Sequence, residues 1–159
     1  MKKDFIILTD TRQQKDKYIT KIFDKNNIKH IRTGLPSADY MVLRYNDGFV
    51  FDYSILIDTK KDLLELCGNL CKTSEHERVK REIAKAKELG CKKFIFLIAE
   101  NKIKNIDDIK KWSSKYTKVK GNVLLKIMST MTKKYGVKFI ICPKKNVGNK
   151  IIEIFSKSH

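Results

Sequence analysis

The stretch ILIDTKKDLLEL, residues 55–66, runs from a strand into a helix and decides how the chain can fold. Its first three residues are aliphatic, as in a strand that is buried in a sheet. Asp58 and Lys60 follow, and the remaining residues begin a helical pattern. Side chains alternate between the two faces of a strand, so Asp58 and Lys60 project to the same side. The end of this strand therefore presents a carboxylate and an amine next to each other.

Strand-like and helix-like segments alternate around this stretch. Segments that read as strands occur at 5–9, 29–33, 39–45, 49–58, 93–99 and 137–142. Helical spacing of apolar residues occurs at 15–27, 74–89, 121–136 and 148–157, and Ser74 with Glu77 forms a capping box that predicts the start of the second of these helices. The pattern predicts an α/β fold, in which a mixed central sheet with an early β-hairpin is flanked by helices.

The two strands of the predicted hairpin flank Asn46-Asp47-Gly48, a strong turn signal. If Asp47-Gly48 is a two-residue turn, Asp39 falls opposite Leu56, and a four-residue loop places it opposite Asp58. Asp39 then projects from the same face as Asp58 and Lys60 in both registers. A three-residue loop would break this parity.

Composition points to one basic domain. The chain has 159 residues and 42% apolar content, which predicts a single domain over 1–159. It carries 35 Lys and Arg against 18 Asp and Glu, a formal charge of +17. Such a surplus suits DNA or another polyanion, because each lysine at a phosphate releases condensed counterions. The competing explanation is a coding sequence biased toward lysine codons, since only 5 of the basic residues are Arg.

The four cysteines form no CxxC pair, and no leader-like segment precedes the first strand. These features predict a reduced, cytoplasmic protein. No apolar run approaches the roughly 18 residues of a membrane span, so no membrane partner is expected.

Carboxylates that converge on one face repel each other unless a divalent cation neutralises them. Mg²⁺ favours a few carboxylates together with water and phosphate oxygens. An amine beside it can orient the attacking water and stabilise charge on a phosphate. Asp39, Asp58 and Lys60 therefore fit a phosphodiester-cutting site. The ordinary alternatives are a turn residue at Asp39, a helix N-cap at Asp58 and a solvated Lys60. The same acid-x-Lys spacing recurs at Glu100-Lys102 and Asp108-Lys110, and Glu100, which also follows a strand, is the stronger rival.

These residues resemble the XPF-type nuclease domain of the PD-(D/E)XK, restriction-endonuclease-like superfamily. The resemblance rests on ILTDTRQ with Asp10 and Arg12, on SADY with Asp39, and on Asp58 and Lys60. The helix and strand in HERVKREIAKAKELGCKKFIFLI (76–98) extend it. GNVLLKIMSTMTKKYGVKFIIC (121–142) is similar to small members from phages and mobile elements.

The resemblance implies roles for individual residues. Asp10, Asp39 and Asp58 hold a metal, Mg²⁺ with Mn²⁺ as a substitute, and Lys60 positions water or the scissile phosphate. Arg12 contacts phosphate or organises the acids. DNA-backbone contacts are expected from Arg78, Arg81 and Lys61, although both arginines can instead pair with the glutamates near them on the helix.

Several positions depart from the family pattern. Gly-Asp is Ala38-Asp39 here, and the Glu of Glu-Arg-Lys is Asp58. Its Arg is Thr59, the Glu after Arg12 is Gln13, and the final Asp is Leu64, for which Lys61, Asp62 or Glu65 could substitute.

Two functional hypotheses follow. The first is a metal-dependent DNA endonuclease that hydrolyses phosphodiester bonds in phage or mobile-element DNA, with flaps, forks or junctions as candidate substrates. The second is a non-catalytic DNA-binding module on a decayed nuclease fold, suggested by Thr59, Gln13 and Leu64. The family often pairs its nuclease domains, so the resemblance leaves a homodimer through the 121–159 helices open.

Overall fold

A six-stranded mixed sheet forms the centre of the protein. The computed structural model describes residues 4–157. The strands lie in the order β2-β1-β3-β4-β5-β6. They are β1 (Phe5–Asp10), β2 (His30–Thr33), β3 (Tyr40–Tyr45), β4 (Phe49–Lys60), β5 (Lys93–Ala99) and β6 (Lys138–Cys142). β3 is antiparallel to both of its neighbours, whereas the other neighbouring pairs are parallel. The predicted α/β class and mixed sheet are confirmed.

Helices cover both faces of the sheet, because its central strands are apolar on both sides. The helices are α1 (Lys17–Lys25), α2 (Leu63–Cys71), α3 (Thr73–Glu88), α4 (Gly121–Tyr135) and α5 (Val147–Lys157). One buried cluster joins α2, α3 and α4 to the face that carries Leu56 and Phe96. The other joins α1 and α5 to the face that carries Ile57 and Leu97. Alternate residues of β4 and β5 thus serve opposite cores.

The hairpin between β3 and β4 differs from the prediction in its loop length. Tyr45 pairs with Phe49, which leaves a three-residue loop in place of the two or four residues expected. Asp47 and Gly48 both have positive φ, at 55° and 116°. A loop of three residues alone would turn Asp39 away from the face of Asp58.

A second irregularity restores the parity that the loop breaks. Between the pairs Val42–Asp52 and Tyr40–Ile57, two steps along β3 face five steps along β4. The three extra residues in β4 form a bulge. Asp52 stabilises this bulge, because its carboxylate accepts hydrogen bonds from Ser54 N at 3.0 Å and from Arg44 Nε at 2.6 Å. Asp39 consequently returns to the face of Asp58.

The helix starts after β4 also differ from expectation. α3 begins at Thr73, and Lys72 precedes it with no capping side chain, so the predicted Ser74–Glu77 capping box is wrong. α2 ends at Cys71, so only Lys72 lies between the two helices, and Ser74 is already inside the first turn of α3. The capping side chain is found at α2 instead, where Asp62 accepts a hydrogen bond from Glu65 N at 2.8 Å.

Candidate active site

Three strand ends meet around one cavity. Asp10 ends β1, Asp39 immediately precedes β3, and Asp58 and Lys60 lie at the end of β4. The backbone joins two of these ends, because Asp10 N donates to Asp39 O at 2.9 Å. The cavity has a volume of about 270 Å³ and is lined by all four of these residues and by Arg12. The structure thus brings the five predicted catalytic residues together.

Asp39 and Asp58 form a close pair of carboxylates. Asp39 lies opposite Asp58 because the neighbouring pair is Tyr40 with Ile57. Burial raises the pKa of Asp39 well above its usual value, and the negative charge of Asp58 together with a hydrogen bond to it raises it further. Two carboxylates held this close bind a proton or a cation between them.

Lys60 lies against this pair. Its Nζ is 3.0 Å from Asp58 Oδ2, and the residue is only 8% exposed. The aromatic ring of Phe96 lies beneath the amine, with its centroid 6.0 Å from Nζ. This environment holds the ammonium group at a fixed place in the cavity, which excludes the ordinary reading of Lys60 as a solvated lysine.

Asp10 has a different environment from the other two acids. Its Oδ2 accepts a hydrogen bond from Arg12 Nε at 2.6 Å and its Oδ1 accepts one from Leu35 N at 2.9 Å. Within residues 4–157, no three acidic, cysteine or histidine side chains lie close enough to hold a metal ion. The expected three-carboxylate set is therefore not assembled in this structure. Asp10 instead holds Arg12, whose guanidinium pKa is raised first by the hydrogen bond to that carboxylate.

Thr59 stands between Asp58 and Lys60 and holds Asp39. Its backbone N and its Oγ1 both donate to Asp39 Oδ2, each at 2.9 Å. Gln13 Nε2 in turn donates to Thr59 Oγ1 at 2.7 Å. Thr59 and Gln13 are two of the positions that depart from the family pattern, and the structure places them in direct contact.

The backbone at Ala38 explains why the family pattern has glycine at the position before Asp39. Its φ is 62°, in the left-handed region that favours glycine, and the residue is buried. Glu82 on α3 supports this conformation, since its Oε2 accepts hydrogen bonds from Ser37 Oγ at 3.0 Å and Ala38 N at 3.3 Å. Glu82 also lines the cavity. The sequence offered no sign of this role, because Glu82 comes from a helix more than 40 residues away along the chain.

The predicted DNA-binding residues occupy different places. Arg78 lines the cavity and its Nε donates to Glu75 at 2.7 Å, so the expected glutamate pairing is present. Arg81 and Lys61 are exposed, and neither lines the cavity.

The rival acids have other environments. Glu100 accepts a hydrogen bond from Lys102 N at 3.2 Å and lies outside the cavity. Asp108 belongs to a short 3-10 helix, Ile106–Lys111, and accepts from Asn105 Nδ2 at 3.4 Å. Glu65 and Asp62 are the two acids suggested as substitutes for the family Asp at position 64. Glu65 lines the cavity, whereas Asp62 does not line it and caps α2.

Arg32 is a further residue that the sequence did not single out. Its guanidinium donates to the backbone oxygens of Asp10, at 3.2 Å, and of Gln13. It also donates to the buried carboxylate of Asp16 at 2.8 Å, which accepts a second hydrogen bond from Tyr40. Arg32 thereby fixes the loop that carries Arg12 and Gln13 over the cavity.

No helix among the described residues is a candidate for a membrane span. None of the helices within 4–157 combines the length and the apolar content needed to span a bilayer.

The sequence matches a known protein family, and the structure is similar to solved structures. The ERCC4 domain matches residues 9–155. XPF from Aeropyrum pernix has a similar structure, with a TM-score of 0.66 and 13% sequence identity over 95% of this chain and 64% of that one. The same protein in complex with DNA gives a TM-score of 0.63 at 13% identity, over 95% of this chain and 62% of that one. The chain thus spans less than two thirds of either structure, and no curated protein matches its sequence. The match over nearly its whole length shows that the chain belongs to the ERCC4 domain family of XPF-type nucleases.

Proposed function

We propose that this protein is a metal-dependent DNA endonuclease that hydrolyses phosphodiester bonds in the cavity at the end of β4. The observation that carries the proposal is the Asp39–Asp58 carboxylate pair with Lys60 Nζ 3.0 Å from Asp58. Family membership supports the reaction class. Membership of the same family suggests a structure-specific enzyme, so branched DNA is the proposed substrate.

The residues present fit a divalent cation. Asp39 and Asp58 supply hard oxygen ligands. The pKa of Asp39 is raised first by burial and then by the negative charge of Asp58, and a cation would relieve the repulsion between the two carboxylates. Mg²⁺ commonly takes only one or two protein carboxylates and completes its shell with water and phosphate oxygens. The pair therefore suffices without Asp10. When bound, the cation supplies Lewis-acid stabilisation of the phosphate and lowers the pKa of a bound water.

The other side chains have separate tasks. Lys60 places a positive charge against the reacting phosphate and can orient the attacking water. Its ammonium group has three donors and is held in a fixed position beside Asp58. Arg12 is 66% exposed at the mouth of the cavity, where its free guanidinium nitrogens can bind a phosphate. Asp10 holds Arg12 in this orientation.

DNA is the proposed partner. The formal charge of +17 favours a polyanion, and Arg78 provides a cation at the cavity wall. The structurally similar XPF has been determined in complex with DNA. Contacts from Arg78 would position the backbone without reading sequence.

A non-catalytic DNA-binding module is the second candidate. Thr59 and Gln13 stand where the family pattern has charged residues, and Leu64 stands where it has an acid. This candidate predicts salt-sensitive DNA binding without turnover.

Cleavage of labelled flap, fork, nicked, junction and linear DNAs in Mg²⁺ and Mn²⁺ decides between the two candidates. The nuclease proposal predicts products that disappear in EDTA and in Asp58→Asn and Lys60→Ala. Asp107→Asn, the same change at an exposed position outside the cavity, controls for the lost charge. DNA binding without products from any substrate would support the module and refute the nuclease.

A further inference from the structure

A chain of three hydrogen-bonded side chains leads to Asp39. Gln13 Nε2 donates to Thr59 Oγ1 at 2.7 Å, and Thr59 Oγ1 donates to Asp39 Oδ2 at 2.9 Å. A threonine hydroxyl has one proton, so while it donates that proton to Asp39 it can only accept a hydrogen bond from Gln13. The direction of the chain is thereby fixed from amide to hydroxyl to carboxylate.

We propose that Gln13 is a positioning residue for Asp39 and that it acts through Thr59. The inference rests on the proposed function, in which Asp39 holds a cation. Two donors from Thr59 hold Oδ2 and so fix the plane of the carboxylate. The amide of Gln13 keeps the hydroxyl turned toward Asp39, which fixes the direction in which the second carboxylate oxygen is presented.

The backbone of Gln13 is itself anchored. Arg32 donates to Gln13 O and to Asp10 O, and its second terminal nitrogen binds the buried carboxylate of Asp16 at 2.8 Å. The Gln13 amide is therefore held in place before any ligand arrives, which is the condition for a positioning role.

The contact also changes how two departures from the family pattern are interpreted. Gln13 and Thr59 stand where the resemblance implies Glu and Arg, and they bind each other with neutral groups. The two departures therefore form a matched pair, in which one hydrogen bond between neutral side chains replaces the charged groups of the family pattern.

Proton counting gives a sharp test at Gln13. In Gln13→Glu the new carboxylate has no proton to donate and competes with Asp39 for the hydroxyl proton of Thr59. Changing Gln13 alone to the family residue should therefore weaken Mn²⁺ binding about tenfold, and more than Gln13→Ala does. Gln14→Glu adds the same charge at the exposed neighbouring position and serves as the matched control.

Thr59 tests the middle of the chain. Thr59→Val keeps the shape but removes the hydroxyl, and should weaken Mn²⁺ binding and cleavage about tenfold, the order expected for a lost hydrogen bond to a charged group. Thr59→Ser keeps the hydroxyl, so its Mn²⁺ affinity and cleavage rate should stay within about twofold of the wild type. Thr130→Val makes the same change at an exposed position on α4. If Gln13 acts through Thr59, Gln13→Ala should have no further effect in the Thr59→Val background.

The measurements are Mn²⁺ titration by calorimetry and the rate of DNA cleavage, with thermal unfolding to confirm that each variant is folded. Wild-type affinity and rate in both Thr59→Val and Gln13→Glu would overturn the inference while leaving the nuclease intact. Additive losses in the double variant would also overturn it. Failure of the wild type itself to bind Mn²⁺ or cut DNA would refute the proposed function instead.

Discussion

The carboxylate of Asp39 lies beside that of Asp58 although the hairpin that connects them has a loop of odd length. The three-residue loop and the three extra residues of the β4 bulge compensate each other, so the two acids share one face. The bulge is stabilised by Asp52, far from the cavity along the strand. The position of Asp39 thus depends on an irregularity in the middle of β4, between Asp52 and Ile57.

The Asp39–Asp58 pair should cost stability in the absence of metal. The pKa of Asp39 is raised by burial and then by Asp58, so the folded state holds this proton more tightly than the unfolded state. Its contribution is favourable below the pKa of 3.8 in the unfolded chain, and is lost as pH rises through the raised pKa of the folded state. Asp39→Asn should therefore raise the free energy of unfolding at neutral pH by about 1 kcal/mol or more.

Urea unfolding in EDTA at several pH values from 4 to 7 measures this effect. The advantage of Asp39→Asn over the wild type should grow with pH, and saturating Mn²⁺ should reverse it by stabilising only the wild type. An advantage that does not change with pH would contradict the assignment of the raised pKa to Asp39.

Ala38 should be a point of backbone strain. Its φ of 62° costs an alanine about 1 kcal/mol relative to glycine. Ala38→Gly should therefore raise the free energy of unfolding by about 0.5–1 kcal/mol, even though glycine has the more flexible unfolded chain. Ala84→Gly, at an exposed position within α3, should instead lower it by about 1 kcal/mol. Equal destabilisation in both variants, measured by urea unfolding, would show that Ala38 is not strained.

Arg32 should stabilise the loop between β1 and α1. Arg32→Lys leaves one ammonium group where a guanidinium bridges Asp10 O, Gln13 O and the buried Asp16 carboxylate. The free energy of unfolding should fall by about 1–3 kcal/mol, because buried acceptors lose partners. Arg81→Lys, at an exposed site, should change it by less than about 0.5 kcal/mol. A loss equally small in Arg32→Lys would count against the bridge.

Arg78 should contribute one phosphate contact to DNA binding. Arg78→Ala should weaken affinity for all DNA sequences and reduce the slope of log affinity against log salt by about 1. Glu75→Gln should have the opposite effect on affinity, because it releases the Arg78 guanidinium from its ion pair. Fluorescence anisotropy over a salt series measures both, and an unchanged slope in Arg78→Ala would remove Arg78 from the interface.

Local patterns were enough to predict the mixed sheet and its flanking helices, but the convergence of Asp39 with Asp58 was expected through a loop of two or four residues, which the hairpin does not have. Side-chain alternation placed Asp58 and Lys60 on one face, and their strand end lies beside the ends of β1 and β3. Turn chemistry was less specific, since Asp47-Gly48 supports loops of more than one length. The bulge that compensates the loop depends on Asp52 and Arg44, which are brought together only by the folded hairpin.

Long-range hydrogen bonds account for what the sequence could not predict. Asp10 is expected as a metal ligand, and the structure adds a contact that the sequence did not indicate, because Leu35 N, 25 residues away, donates a hydrogen bond to its carboxylate. The Gln13–Thr59 contact spans 46 residues, and Glu82 reaches Ala38 across 44. None of these pairs leaves a periodic signal in the chain.

The position of the bound metal would show whether Asp39 and Asp58 form the metal site. Crystals grown with Mn²⁺, with data collected at a wavelength where manganese scatters anomalously, would show the ion itself. If the carboxylate pair binds the metal, we expect one anomalous peak within about 2.2 Å of carboxylate oxygens of both Asp39 and Asp58, and none in Asp58→Asn. A peak held by Asp10 without that pair, or an empty cavity in crystals of an actively cleaving protein, would contradict it.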